Sequence, residues 1–161
     1  MVEPLLMTMS GTLLFTKSGQ WIHDGVPVTH EGIALYFSTH IKYAPAFQSF
    51  VIEDDGRCVK VEVEDTPRVV RSIQTQETPW QLLLNNQASE LFLPERLLYK
   101  ATGELYYELS SEPYFARLLS PAIQGVLPAI AEQGGEYYFE QGSISVKLRP
   151  YNEPTTPKPD I

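Results

Sequence analysis

Three histidines and several carboxylates gather in the first part of the chain, and these residue types could carry chemistry. His23, His30 and His40 lie near Asp24 and Glu31 in sequence, and Asp65 follows a strand-like stretch further on. A His–Asp couple can act as a general base, with the carboxylate orienting the imidazole, and two histidines with carboxylates could hold a metal ion. His23, Asp24, His30 and Asp65 are therefore the candidates for a small hydrolase or metal-dependent enzyme. The spacing argues against that reading. No H-x-H or H-E-x-x-H pattern is present, and neighbouring strand residues such as His23 and Asp24 point to opposite faces. The chain also lacks a G-x-S-x-G elbow and a phosphate-cradling glycine loop. No residue is assigned as catalytic, and no metal or cofactor is expected.

For a binding protein the candidates differ. Trp21, His23, Arg57, Asp65 and Arg68 are the residues read as contacting a ligand, although a solvated strand face also accounts for Arg57, Arg68 and Arg71. Strand aromatics such as Tyr106, Tyr107, Tyr137 and Tyr138 usually pack a core or an interface. Cys58 is the only cysteine, which excludes an internal disulfide and a cysteine zinc motif. It reads as an inert, half-exposed strand residue.

The elements that must position these residues show an internal pattern. The segment LLFTKSGQWIHD at 13–24 returns as LLYKATGELYYE at 97–108, an ungapped offset of 84 (97 against 13). Both copies alternate in polarity around a glycine turn, the pattern of a β-hairpin. After the first, Thr29 can cap a helix that carries Ile33, Phe37 and Ile41 on one stripe and ends near Tyr43. Asp54-Asp55-Gly56 between β-branched runs then signals a second hairpin, with Val59, Val61 and Val63 on one face and Cys58, Lys60 and Glu62 on the other. Two weaker strands are expected at 69–74 and 81–84. After the second copy, Ser110 or Ser111 caps a helix carrying Phe115, Leu118 and Leu119. A last hairpin pairs Tyr137-Tyr138-Phe139 with Ile144, Val146 and Leu148, which sit 85 positions after Val59, Val61 and Val63.

The fold class read from this pattern is α+β: two tandem β-β-α-β-β units, mainly antiparallel sheets each packed against a helix. The first unit, with two extra strands, is placed at 11–86, the second at 87–150, and a flexible proline-rich tail at 151–161.

Twelve Lys and Arg against twenty Asp and Glu give a formal charge of −8, which disfavours nucleic acid and anionic membranes as partners. The beginning, MVEPLLMTMSG, lacks a basic signal-peptide region, and no run reaches membrane-spanning length. A cytoplasmic location is the expectation.

The run Gly19-Gln20-Trp21, His23-Asp24-Gly25-Val26-Pro27-Val28, Phe37 and Val61-Glu62-Val63-Glu64-Asp65-Thr66-Pro67 resembles the uncharacterised bacterial proteins grouped as domain of unknown function 1285. The same order is similar to an uncharacterised eukaryotic family, UPF0598. The resemblance implies a fold of repeated α+β motifs and a link to signalling or regulation, and it transfers no catalytic residue. The reading that follows is a non-enzymatic binding or regulatory protein, whose small-molecule or protein partner is received between the two units. The alternatives are the hydrolase or metal-dependent enzyme above and a structural protein that assembles with copies of itself.

Overall fold

A computed structural model of the chain describes Leu5–Leu6 and residues 12–152. It is mixed α and β, mostly strand, with two α-helices among the described residues. The chain divides into two compact units that meet in sequence between Pro67 and Arg68.

The first unit runs β1 (Leu5–Leu6), β2 (Leu13–Phe15), β3 (Trp21–His23), β4 (Val26–Pro27), α1 (Glu31–His40), β5 (Ile41–Ala44), β6 (Ser49–Asp54) and β7 (Arg57–Val63). Its strands lie in the order β4-β3-β2-β7-β6-β5, with β1 beside β7. The β6–β7 turn has positive φ at both Asp55 (53°) and Gly56 (76°), the hairpin geometry that Asp-Gly favours. Leu13, Phe15, Trp21, Ile41, Val51, Ile52, Cys58 and Val61 are buried.

The second unit runs β8 (Arg68–Gln74), β9 (Gln81–Leu84), β10 (Ser89–Leu91), β11 (Leu97–Tyr99), β12 (Leu105–Glu108), β13 (Phe115–Leu118), α2 (Ser120–Val126), β14 (Ile130–Gln133), β15 (Glu136–Gln141), β16 (Ile144–Lys147) and β17 (Arg149–Pro150). One sheet has the order β10-β9-β8-β13-β12-β11-β17, and β14-β15-β16 form a second. Its core includes Val70, Leu82, Leu84, Phe92, Leu97, Tyr107, Leu118, Val126 and Phe139.

The registers of the two units can be compared residue by residue. In β2–β3, Leu13 pairs with His23 and Phe15 with Trp21; in β11–β12, Leu97 pairs with Tyr107 and Tyr99 with Leu105. The turns match as well. Thr16 N–H donates to Gln20 O and Gly19 N–H to Thr16 O, while Lys100 N–H donates to Glu104 O and Gly103 N–H to Lys100 O. Gly19 (φ 84°) and Gly103 (φ 108°) supply a conformation that a side chain would strain.

The three strands after each helix form an antiparallel meander. Ile41–Ile52–Val59 lie in a row across β5-β6-β7, and Ile130–Phe139–Val146 do so across β14-β15-β16. Each run then closes on its first strand in parallel. Glu62 and Val63 sit beside Leu14 and Phe15, and Arg149 and Pro150 beside Leu98 and Tyr99. Glu64 N–H donates to Phe15 O at 2.9 Å, and Tyr151 N–H to Tyr99 O at 2.8 Å.

Several expectations need correction. From Leu13 to Val63 three strands, not two, stand on each side of α1, because Val26–Pro27 and Ile41–Ala44 pair as strands. The strands expected at 69–74 and 81–84 pair within the sheet of the second unit, so the observed division falls earlier than 86/87. Phe115–Leu118 is a strand, not a helix, because it lies between β12 and β8 with its amides in their ladders. The chain does not become a tail at Tyr151: its N–H donates to Tyr99 O, and its ring is buried against that of Tyr106. The remainder of the expected tail, 153–161, lies outside the described residues.

Candidate functional site

The residues singled out for chemistry sit on separate local features of the first unit. His30 is the N-cap of α1, where its Nδ1 accepts from Ile33 N–H at 3.2 Å. Thr29 was the expected cap, and the imidazole one residue later takes that role. Asp24 is an exposed turn residue with φ 51°, and its N–H donates to Thr12 O. His23 is half-buried on β3 opposite Leu13. Asp65 is half-buried between β7 and β8. His40 lies in the last turn of α1, its Nδ1 2.9 Å from Tyr36 O and its ring 4.3 Å from that of Tyr36. Among the described residues no group of three or more His, Cys, Asp or Glu is placed to hold a metal ion.

The ligand-binding candidates are also accounted for locally. Trp21 is 2% exposed, packs against Phe15 and Phe37 at 4.8 and 5.3 Å, and donates from Nε1 to Ser38 Oγ at 2.9 Å. It is a core residue that ties β3 to α1. Arg57 is exposed in the β6–β7 hairpin. Arg68 is not on a solvated face: it is 2% exposed and makes a two-pronged pair with Glu112, Nε–Oε1 2.6 Å and Nη2–Oε2 3.0 Å. Cys58, expected to be half-exposed, is fully buried, and burial pushes its thiol up from the usual range. That disfavours the thiolate needed for reactivity.

The second unit holds a polar cluster around Ser110 and Ser111, which cap no helix. The two residues donate from backbone and hydroxyl to the Glu90 carboxylate, with the hydroxyls at 2.9 and 2.7 Å. Burial raises the Glu90 pKa, yet these four bonds outweigh it and hold the carboxyl below its ordinary value. A carboxylate held ionised by donors is a poor general base, so the cluster is an anchor for the β12–β13 loop. Beside it, Tyr107 Oη accepts from Leu93 N–H at 2.9 Å and donates to Leu91 O at 3.1 Å. Burial pushes the Tyr107 phenol up to about 12.

The concave feature that sequence reasoning missed lies within the second unit. A cavity of about 130 Å³ opens between the β11–β12 hairpin, α2 and the β14–β15 strands. Tyr99 and Leu105 form its hairpin wall, Ile123 and Leu127 its helical wall, and Ile130 and Tyr137 the third side. Tyr99 and Tyr137 meet edge to face, 5.0 Å between ring centres at 63°. The lining is mainly apolar, and a lone apolar strand residue such as Leu105 carries no sequence signal that separates a pocket wall from a core position.

On the other face of β15–β16, Lys147 Nζ and Tyr138 Oη both reach the Glu136 carboxylate, at 2.8 and 3.0 Å. The Lys147 bond comes first in holding that carboxyl below its usual range. This network braces the strand that carries Tyr137.

No helix among the described residues is long and apolar enough to cross a membrane. No family model matches the sequence. No curated protein matches it either. Among solved structures, the chain is similar to a DUF1285 family protein from Silicibacter pomeroyi DSS-3, with a TM-score of 0.63 and 16% identity over 92% of this chain and 88% of that one. It is also similar to a DUF1285 family protein from Shewanella baltica OS155, with a TM-score of 0.53 and 12% identity over 69% of this chain and 86% of that one. At such identities the likeness is one of fold, and it agrees with the resemblance carried by Trp21, His23-Asp24-Gly25 and Glu64-Asp65-Thr66-Pro67. This chain has the fold of the DUF1285 family proteins.

Proposed function

We propose that this chain is a non-enzymatic binding protein with a regulatory output, and that its ligand is a small apolar molecule held in the pocket of the second unit. The observation that carries the reading is the cavity of about 130 Å³ walled by Tyr99, Leu105, Ile123, Leu127 and Tyr137. A dry apolar cavity of about 150 Å³ is enough to bind benzene, whereas pockets for drug-sized ligands begin at about 300 Å³. The site therefore suits one compact ring system and is too small for a nucleotide or an oligosaccharide. We further propose that the two units repeat one plan, strands–helix–strands closed in parallel on the first strand. The matched register of β2–β3 with β11–β12 and the antiparallel meanders β5-β6-β7 and β14-β15-β16 support it.

The test is methyl-detected NMR of the full chain titrated with toluene. Shifts confined to the methyls of Leu105, Ile123, Leu127 and Ile130, with a rise in Tm that grows with toluene concentration, are expected. Unmoved methyls at those four residues would sink the reading.

A further inference from the structure

In the first unit the β2–β3 hairpin packs against α1 through its own aromatic side chains. Phe15 and Trp21 face each other across β2–β3 where Tyr99 and Leu105 face each other across β11–β12. The indole of Trp21 extends from that wall to α1, touching Phe37 and reaching Ser38 Oγ at 2.9 Å. In the second unit α2 contributes Ile123 to the cavity, with Leu127 just beyond its end. Leu105, which walls the cavity, thus has the hairpin register that Trp21 has in the first unit. A bicyclic aromatic side chain is present at one site, and a void walled by Leu105 and Tyr99 is present at the other.

We propose that the pocket recognises a planar aromatic ring, which occupies in the second unit the position that the Trp21 indole occupies in the first. This rests on the pocket reading and the repeated plan proposed above, and it adds the chemical class. Shape supports it, since Trp21 shows that this hairpin–helix plan accommodates a flat bicycle between its walls. The aromatic wall supports it too. Phe15 meets the Trp21 ring at 4.8 Å and 44°, and Tyr99, at the matching position, lines the cavity already edge to face with Tyr137. Ring pairs in tilted or edge-to-face contact gain more than the area they bury. The lining is mainly apolar, with Lys100 its one charged residue, so the walls offer chiefly a hydrocarbon surface to the ring.

The experiment compares indole, toluene and methylcyclohexane on the full chain by methyl-detected NMR and by thermal shift. Indole and toluene binding at least tenfold tighter than methylcyclohexane is the expected result. Equal binding of all three would overturn the aromatic class while leaving the pocket reading in place; binding of none would overturn both. Leu105→Trp supplies the missing indole from the chain itself, and it is expected to raise Tm and abolish indole binding. Ile123→Phe fills the cavity from the helical side and serves where the first variant does not fold. Undiminished indole binding in a folded blocking variant would place the site elsewhere and overturn the proposal.

Discussion

Tyr107 takes the place in its hairpin that His23 takes in the other, yet the two side chains do unrelated work. The phenol of Tyr107 is buried and serves both Leu93 N–H and Leu91 O. Tyr107→Phe keeps the ring and removes the only atom that makes those bonds, and a buried polar group deprived of its partner costs about 1–3 kcal/mol. Urea denaturation of the variant is expected to show a loss of that size; an unchanged midpoint would show that water replaces the phenol. The same residue illustrates what sequence reading reaches. Leu97, Leu98 and Gly103 announce a hairpin through alternation and a turn glycine, and the hairpin is there. Nothing in a tyrosine on a strand announces which backbone groups its hydroxyl will satisfy. His30 misled in a similar way, since Thr29 beside it has the better capping propensity, while the imidazole is the group within reach of Ile33 N–H.

The β12–β13 loop is held at both ends by ionised groups. Glu112 engages Arg68 at the start of β8, and Glu90 at β10 engages Ser110 and Ser111. Because the Glu90 carboxyl is depressed below its ordinary value in the folded chain, its contribution to stability is present at neutral pH. It is lost as the pH falls through the folded pKa, below the usual glutamate value of about 4.3. Glu90→Gln is therefore expected to flatten the fall of Tm between about pH 5 and pH 3, measured against the parent chain; parallel curves would show that the carboxylate contributes nothing. This loop was hard to read from sequence for a physical reason. Ser-Ser-Glu-Pro followed by Phe115, Leu118 and Leu119 carries the cap and the spacing of a helix start, and runs this short are ambiguous between helix and strand. The parallel ladder to β8, a partner more than forty positions away, settles it as strand.

At the scale of the molecule, twenty acidic against twelve basic residues leave a formal charge of −8 and a sequence pI of about 4.8. Self-repulsion keeps such a chain dispersed at neutral pH and vanishes near the pI. Light scattering across a pH series is expected to peak near pH 4.8, and a flat profile would show that charge does not control its association. The α+β class and the hairpins at β2–β3, β6–β7, β11–β12 and β15–β16 were legible in alternation and turn glycines. The pocket was not, because its walls are residues such as Leu105, Ile123 and Tyr137, which lie apart in sequence and meet only once the hairpin, helix and later strands are packed.

The parallel closure of each unit has a consequence for how the protein is made. Leu14 finds its ladder partner Glu62 only 48 positions later (62 against 14), and Leu98 waits 51 positions for Arg149 (149 against 98). A ribosome releases the chain from its N-terminal side at about 5–20 residues per second, so each opening hairpin emerges seconds before the strand that flanks it. During that interval the parallel edges of β2 and β11 are uncovered, and an uncovered strand edge is a template for pairing with other chains. Synthesis therefore exposes each unit of this fold to misassembly.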